Sequence, residues 1–204
     1  MSIYYKALGD RFEDLHPKLQ ERYRLMGRET FYGTGLMKEI KGGPRWLYPF
    51  FRYGIKWKLL FPERGEDIPF TIRNTPILEK GGEAKIHWER VFMFGKKKRY
   101  FNALMSFDKK RNIIKDYLGE PTRLYSDLEL MINEDRSLTI ISNKQRIVIG
   151  KFEIPLPKFL QGIAKVREGY NEREQVYTIS VDVRNPIIGT LFSYEGVFLQ
   201  NELS

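Results

Sequence analysis

The chain has 204 residues, of which 42% are hydrophobic and 30% charged, a size that favours one folded domain and a composition that argues against disorder or an integral membrane protein. Cysteine is absent, which excludes disulfides, thiolate metal sites and a cysteine nucleophile and fits a cytoplasmic setting. The net charge of +9 favours anionic partners, and 14 Phe, 12 Tyr and 3 Trp favour pleated, half-buried surfaces or the lining of apolar pockets.

The opening MSIYYKALGDRF lacks the basic and then apolar pattern of an export leader. From residue 10 to 26, Phe12, Leu15, Leu19, Tyr23 and Met26 recur at helical spacing. Asp10 is placed to cap this helix and Gly27 to end it; Pro17 predicts a kink or a later start, with Pro17 in the first turn. The next stretch, TFYGTGLMKEIKGG, reads as a strand interrupted at Gly33 and Gly35. Residues 45–61 are aromatic and basic, and suit a helix broken around Pro49.

Beyond that point the period changes to two. In KIHWERVFMF, Ile86, Trp88, Arg90, Phe92 and Phe94 share one face and His87, Glu89, Val91 and Met93 the other. A basic turn at 95–99 leads to YFNALMSFD, completing a hairpin. RLYSDLELMIN alternates Leu124, Leu128, Leu130 and Ile132 with Arg123, Asp127 and Glu129, so the two acids are expected in solvent. SLTIISN and QRIVIGKFEI continue the sheet, and a short helix is expected at 157–164. VYTISVDV, with Tyr177, Ile179, Val181 and Val183 on one face, and IIGTLFSYEGVFLQ end it. The expected fold is mainly β (α+β by count): a curled antiparallel sheet or lipocalin-like barrel, with an N-terminal helix and short capping helices. It is read as one domain over 1–204, a helical segment at 1–28 preceding a β-rich body at 29–204.

Phosphate loops, dinucleotide fingerprints, nucleophile elbows and zinc-protease motifs are all missing. With only His16 and His87, no metal site and no cofactor are expected. The inward face suggests that Trp88, Arg90 and Phe92, with His87 and Tyr177, bind an apolar or lipid-like small molecule, Arg90 meeting an anionic group through its bidentate fork. Alternatively, Arg90 is a structural cation compensated by Glu168 or Asp182. The stretch 45–61 offers a second reading, in which Trp46, Phe50, Phe51, Arg52 and Trp57 face an anionic membrane, helped by the basic turn at 96–99; packing on the barrel mouth is the alternative. A third is an enzyme acting on an apolar substrate through His87, Tyr170, Glu168 or Asp182. Nucleic acid is an unlikely partner, because the basic residues are scattered.

Trp88, Arg90 and Phe92, then Leu118-Gly119, Pro155-Leu156-Pro157 before Phe159-Leu160, and finally Pro186, Gly189, Tyr194 and Gly196 form a distinctive set. Together they resemble the bacterial domain-of-unknown-function family DUF4166, from about Phe31 to Leu199. That family also occurs fused to saccharopine-dehydrogenase-like nucleotide-binding domains, so the resemblance implies an accessory or binding domain and supplies no catalytic residues. The stretch Ile149-Gly150-Lys151-Phe152-Glu153-Ile154 is more polar than the family pattern, and no continuous apolar surface is expected there.

Overall fold

In a computed structural model, which describes residues 1–25, 29–78 and 83–201, the β-rich expectation holds. Twelve strands form one antiparallel sheet: β1 (Phe31–Gly42), β2 (Gly65–Leu78), β3 (Ala84–Phe94), β4 (Lys97–Tyr100), β5 (Ala103–Asp108), β6 (Ile113–Leu118), β7 (Leu124–Ile132), β8 (Leu138–Ile149), β9 (Phe152–Pro155), β10 (Ile163–Asn171), β11 (Val176–Asn185) and β12 (Gly189–Gln200). Ten of them run up and down in chain order and close, because β12 pairs with β1 and β10 with β8. The strands β4 and β9 are short returns hanging from β3 and β8. Closure leaves the barrel wall without a free edge.

Four of these strands escaped the sequence reading: the expected turn at 95–99 is mostly β4, which pairs back on β3 after Gly95-Lys96, and three more were not read as strands. In β2, Pro69 and Pro76 blur the alternation; β6 is only six residues long; and in β10 the buried position of the pattern is Glu168. The expected helix at 157–164 is a single 3-10 turn, Lys158–Leu160, after which β10 begins.

The closure of β1 on β12 explains two glycines. A Cβ on Gly35 would stand 2.0 Å from the Val197 carbonyl oxygen, and one on Gly196 would stand 2.2 Å from that of Leu36. The closure seam admits no side chain at either place.

One barrel end is plugged by the N-terminal segment. It is not one helix from residue 10: α1 (Ile3–Leu8) runs into a 3-10 segment (Gly9–Asp14), and α2 (Pro17–Arg24) follows. Ser2 Oγ caps α1 and His16 Nδ1 caps α2, so Asp10 is not the cap, and Pro17 stands in the first turn of α2, where its missing N–H costs nothing. The expected stop at Met26 and Gly27 lies outside the described residues. Phe12, Leu15, Leu19 and Tyr23 are buried, as their spacing implies.

The plug is locked by charge. Arg22, 1% exposed, donates from Nε to Glu168 Oε2 at 2.9 Å and from Nη2 to Oε1 at 3.3 Å, while the Tyr23 hydroxyl donates to Oε2 at 2.6 Å. The Arg22 guanidinium also lies over Phe31, 4.3 Å from the ring centroid, and over Phe198 at 4.9 Å. Burial and the neighbouring carboxylate push the Tyr23 hydroxyl well above its ordinary pKa, keeping it a donor.

At the opposite end, the mouth, lie the connections β1–β2, β3–β4, β4–β5, β6–β7, β8–β10 and β11–β12. The first carries a 3-10 turn (Arg45–Leu47) and α3 (Tyr48–Lys56), which Pro49 opens instead of breaking.

Glu168→Ala strips a buried cation of its partner and is expected to destabilise the fold by about 3–5 kcal/mol. Replacing both partners, Arg22→Met with Glu168→Leu, should recover most of that loss. Urea denaturation of the single and double variants measures both; equal stability of Glu168→Ala and the parent would show that the pair does not hold the plug.

Candidate functional site: a half-filled barrel interior

The barrel interior is filled on one side and hollow on the other. Along β2, β3 and β12, Phe92 and Phe192 pack on Phe61, and Phe70 and Tyr194 pack on Phe92, with centroid separations of 5.0–5.8 Å between neighbouring rings. Facing them, β5–β8 and β10 present smaller side chains, among them Ser126, Ser142, Gly162 and Ala164. The difference in volume leaves a cavity of about 220 Å³, walled mainly by Met105, Leu118, Leu128, Ile140, Val166 and Val181. It reaches the mouth beside Leu59, Leu60, Leu156 and Leu191, and Leu160, which also lines it, is 57% exposed.

Polar groups interrupt this wall. Arg90 turns inward at the level where β3 exchanges β5 for β4 as its partner. Its Nε donates to the Phe101 carbonyl at 2.9 Å, and its guanidinium lies 4.1 Å from the Phe101 ring centroid. Asp116, on β6, lines the same cavity, and its Oδ1 has no hydrogen-bond partner, whereas the Trp88 indole lies against Tyr4 of the plug and bonds its hydroxyl. Burial drives the Asp116 carboxyl up to about 7, with Arg90 pulling only partly the other way. Near neutrality the group is therefore poised between acid and carboxylate.

Of the expected ligand-binding residues, Trp88 and Arg90 line this cavity. Phe92 is buried among the aromatic rings of the filled half, and Tyr177 lies under α2, its hydroxyl donating to the Lys18 carbonyl at 3.1 Å. His87 is on the outer face of β3, bonded to Glu120 at 2.5 Å. Neither suggested partner of Arg90 serves it: Glu168 is held by Arg22, and Asp182 pairs with Arg184. The acid–base candidates are likewise dispersed, with Tyr170 stacked on His16 at the plugged end. Asp116 was missed because β6 is short, although Ile114, Asp116 and Leu118 on one face carry the necessary alternation. Asp127 is buried and not in solvent, because Arg111 Nη1 donates to both its oxygens and the Tyr125 hydroxyl to one.

The mouth is shaped by a second polar cluster. Glu120 receives Lys58 Nζ at 2.5 Å, Asn102 Nδ2 at 2.9 Å and His87, and its own N–H donates to the Trp57 carbonyl at 2.7 Å. Partial burial opposes ionisation, but these donors outweigh it and lower Glu120 to about 2. The cluster clamps the segment carrying Leu59 and Leu60 to the rim. Among the aromatic residues of 45–61, Trp46 and Phe50 are exposed together with Arg52, whereas Phe51 turns inward and Trp57 is half-buried beneath Arg123.

Among the described residues, no group of three His, Asp or Glu side chains is arranged to hold a metal, and no helix is long and apolar enough to cross a membrane.

The sequence profile of a domain of unknown function, DUF4166, matches residues 15–198. The uncharacterized protein YndH of Bacillus subtilis (strain 168) is 46% identical over 201 residues, covering 98% of this chain and 98% of that protein.

The Asp116 pKa is raised on folding, so its contribution to stability is present below the unfolded carboxyl range and is lost as pH rises toward about 7. Asp116→Asn lacks that loss. Its stability relative to the parent should therefore increase from pH 4 to pH 8 by a few kcal/mol, measured by denaturation across the range. A difference independent of pH would place Asp116 in contact with water.

Proposed function

The chain belongs to the DUF4166 family, and we propose that this member is a binding protein for a slender apolar molecule with an anionic end, held inside the barrel. The observation that carries this reading is an apolar cavity, open at one end, lined by Arg90 and by Asp116, whose Oδ1 has no hydrogen-bond partner.

The size of the cavity narrows the guest. About 220 Å³ exceeds the roughly 150 Å³ that admits a benzene-sized molecule and falls short of the roughly 300 Å³ at which drug-sized pockets begin. A single alkyl chain or a small aromatic acid fits, with any further length leaving past Leu160.

The polar groups favour an anion. Arg90 supplies a fixed positive charge in a low-dielectric interior. An anion beside Asp116 raises that carboxyl further and keeps it protonated, so that it donates a hydrogen bond instead of repelling the ligand. A carboxylate thereby finds a charged donor in Arg90 and a neutral one in protonated Asp116, both lining the cavity. Binding needs no reacting group, which agrees with the dispersal of His87, Tyr170 and Asp182.

Titration of delipidated protein with a dansyl-labelled fatty acid tests the reading. Saturable binding is expected, with one site per chain. Arg90→Met should weaken it by roughly ten- to a hundredfold, as expected for loss of a charged hydrogen bond. Ala164→Phe, which fills the cavity from β10, should abolish it while the circular dichroism of the barrel persists. Affinity should fall above about pH 7 as Asp116 ionises, and Asp116→Asn should flatten that fall. Absence of saturable binding, or binding untouched by Ala164→Phe, would sink the proposal.

A further inference from the structure

The two ends of the barrel carry different surfaces. The mouth segments 43–64, 95–99, 119–123, 149–162 and 185–189 contain twelve Lys and Arg against three acids. The plugged-end segments 1–25, 109–112, 133–137 and 171–175 contain ten against eight. All three mouth acids are already engaged: Glu63 by Arg99, Glu120 by Lys58 and Glu153 by Arg146. Apart from Lys97, which lies close enough to Glu63 to act on it, the cations of α3 and the lysines of the hairpin tips thus face solvent without acidic partners among the described residues.

Aromatic exposure follows the same division. Five aromatic side chains of the described residues are exposed, Trp46, Phe50, Tyr53, Phe152 and Phe159, and every one belongs to a mouth segment. The β8–β9 hairpin adds an aliphatic face, contrary to the polar surface its sequence suggests. Ile147 pairs with Ile154 and Ile149 with Phe152, so these four side chains share one side of the ribbon and are 40–74% exposed. Arg146 and Glu153 occupy the other side.

We propose that the mouth docks on the surface of an anionic lipid bilayer. Exposed aromatic rings among lysines and arginines match the water–hydrocarbon boundary, where rings and aliphatic side chains enter the headgroup region and cations meet lipid phosphates. A protein partner is the poorer match, because lysine is depleted from protein interfaces whereas this rim contains Lys56, Lys96, Lys97, Lys98, Lys151 and Lys158. The net charge of the chain is concentrated where the rings are, so electrostatic attraction and apolar insertion act on one face. Docking orients the cavity opening toward the lipid, but it does not require the barrel to carry a ligand.

Co-sedimentation of the full chain with vesicles of phosphatidylcholine containing one quarter phosphatidylglycerol tests the proposal. Binding is expected at low salt, should weaken as salt rises, and should be absent from pure phosphatidylcholine. Lys96→Glu with Lys98→Glu at the β3–β4 tip should weaken it at least about tenfold. Phe50→Ser with Phe152→Ser should do so without removing charge. Lys109→Glu with Lys110→Glu, at the plugged end, should leave it nearly unchanged. No binding at low salt, or equal losses from changes at both ends, would overturn the proposal. So would a mouth-dependent dimer that forms without vesicles and fails to bind them.

Discussion

A buried guanidinium sets the terms for the rest of this barrel. Arg22 sits 1% exposed among the rings of Tyr23, Phe31, Trp88, Tyr177 and Phe198, where an unpaired charge would be prohibitive. Glu168 must therefore stand opposite it, although this places an acid on the inner face of β10. Each of the two charges is tolerable because the other is there. Together they hold α2 across one end of the barrel, leaving the other as the way in. Trp88 and Tyr177, which a sequence reader would assign to a binding site, help to build this anchor.

The same interior shows how a barrel becomes half hollow. Ten strands enclose more space than side chains of ordinary size fill, and its filling is decided strand by strand. Where Phe and Tyr alternate inward the space is taken; where Ser126, Ser142, Gly162 and Ala164 do, it is left. The small residues also hold the wall together. Ser142 Oγ accepts from the Ala164 N–H at 2.8 Å, and Gln145 brackets Gly162 by accepting from its N–H and donating to its carbonyl. These side-chain bonds continue the β8–β10 seam beyond its backbone pairs, which run only from Lys165 to Glu168.

How much of this was legible in the sequence depended on range. Alternation is local, so β3 with its inward Trp88, Arg90 and Phe92, and β11 with its inward Tyr177, Ile179 and Val181, were readable. Burial of a charged group is decided by a distant partner, and there local reading failed. Asp127 looks solvated until Arg111 arrives from the β5–β6 turn, and Glu168 disguises its strand until Arg22 is seen 146 residues away. The apolar side of the β8–β9 hairpin was hidden for a related reason. Its isoleucines and phenylalanine alternate with Arg146, Lys151 and Glu153, and only strand pairing sorts the two kinds onto opposite faces. The aromatic and basic character of residues 45–61 was plain, but not that Phe51 and Trp57 turn away from solvent while Trp46 and Phe50 do not.

Pairing of β1 with β12 has a consequence for how the chain reaches its native state during synthesis. The wall cannot close until the strand at 189–200 has left the ribosome, and the plug, made first, waits for its acid on β10, 146 residues further along the chain. Arg22 and the apolar face of α2 therefore spend most of translation without their partners, beside nascent strands whose edges are open. A fold dominated by such distant pairings is slow to form and depends on protection while it is incomplete. Residues that screen the early strands from one another, such as the charges scattered along their outer faces, thus serve the unfinished chain as much as the finished barrel.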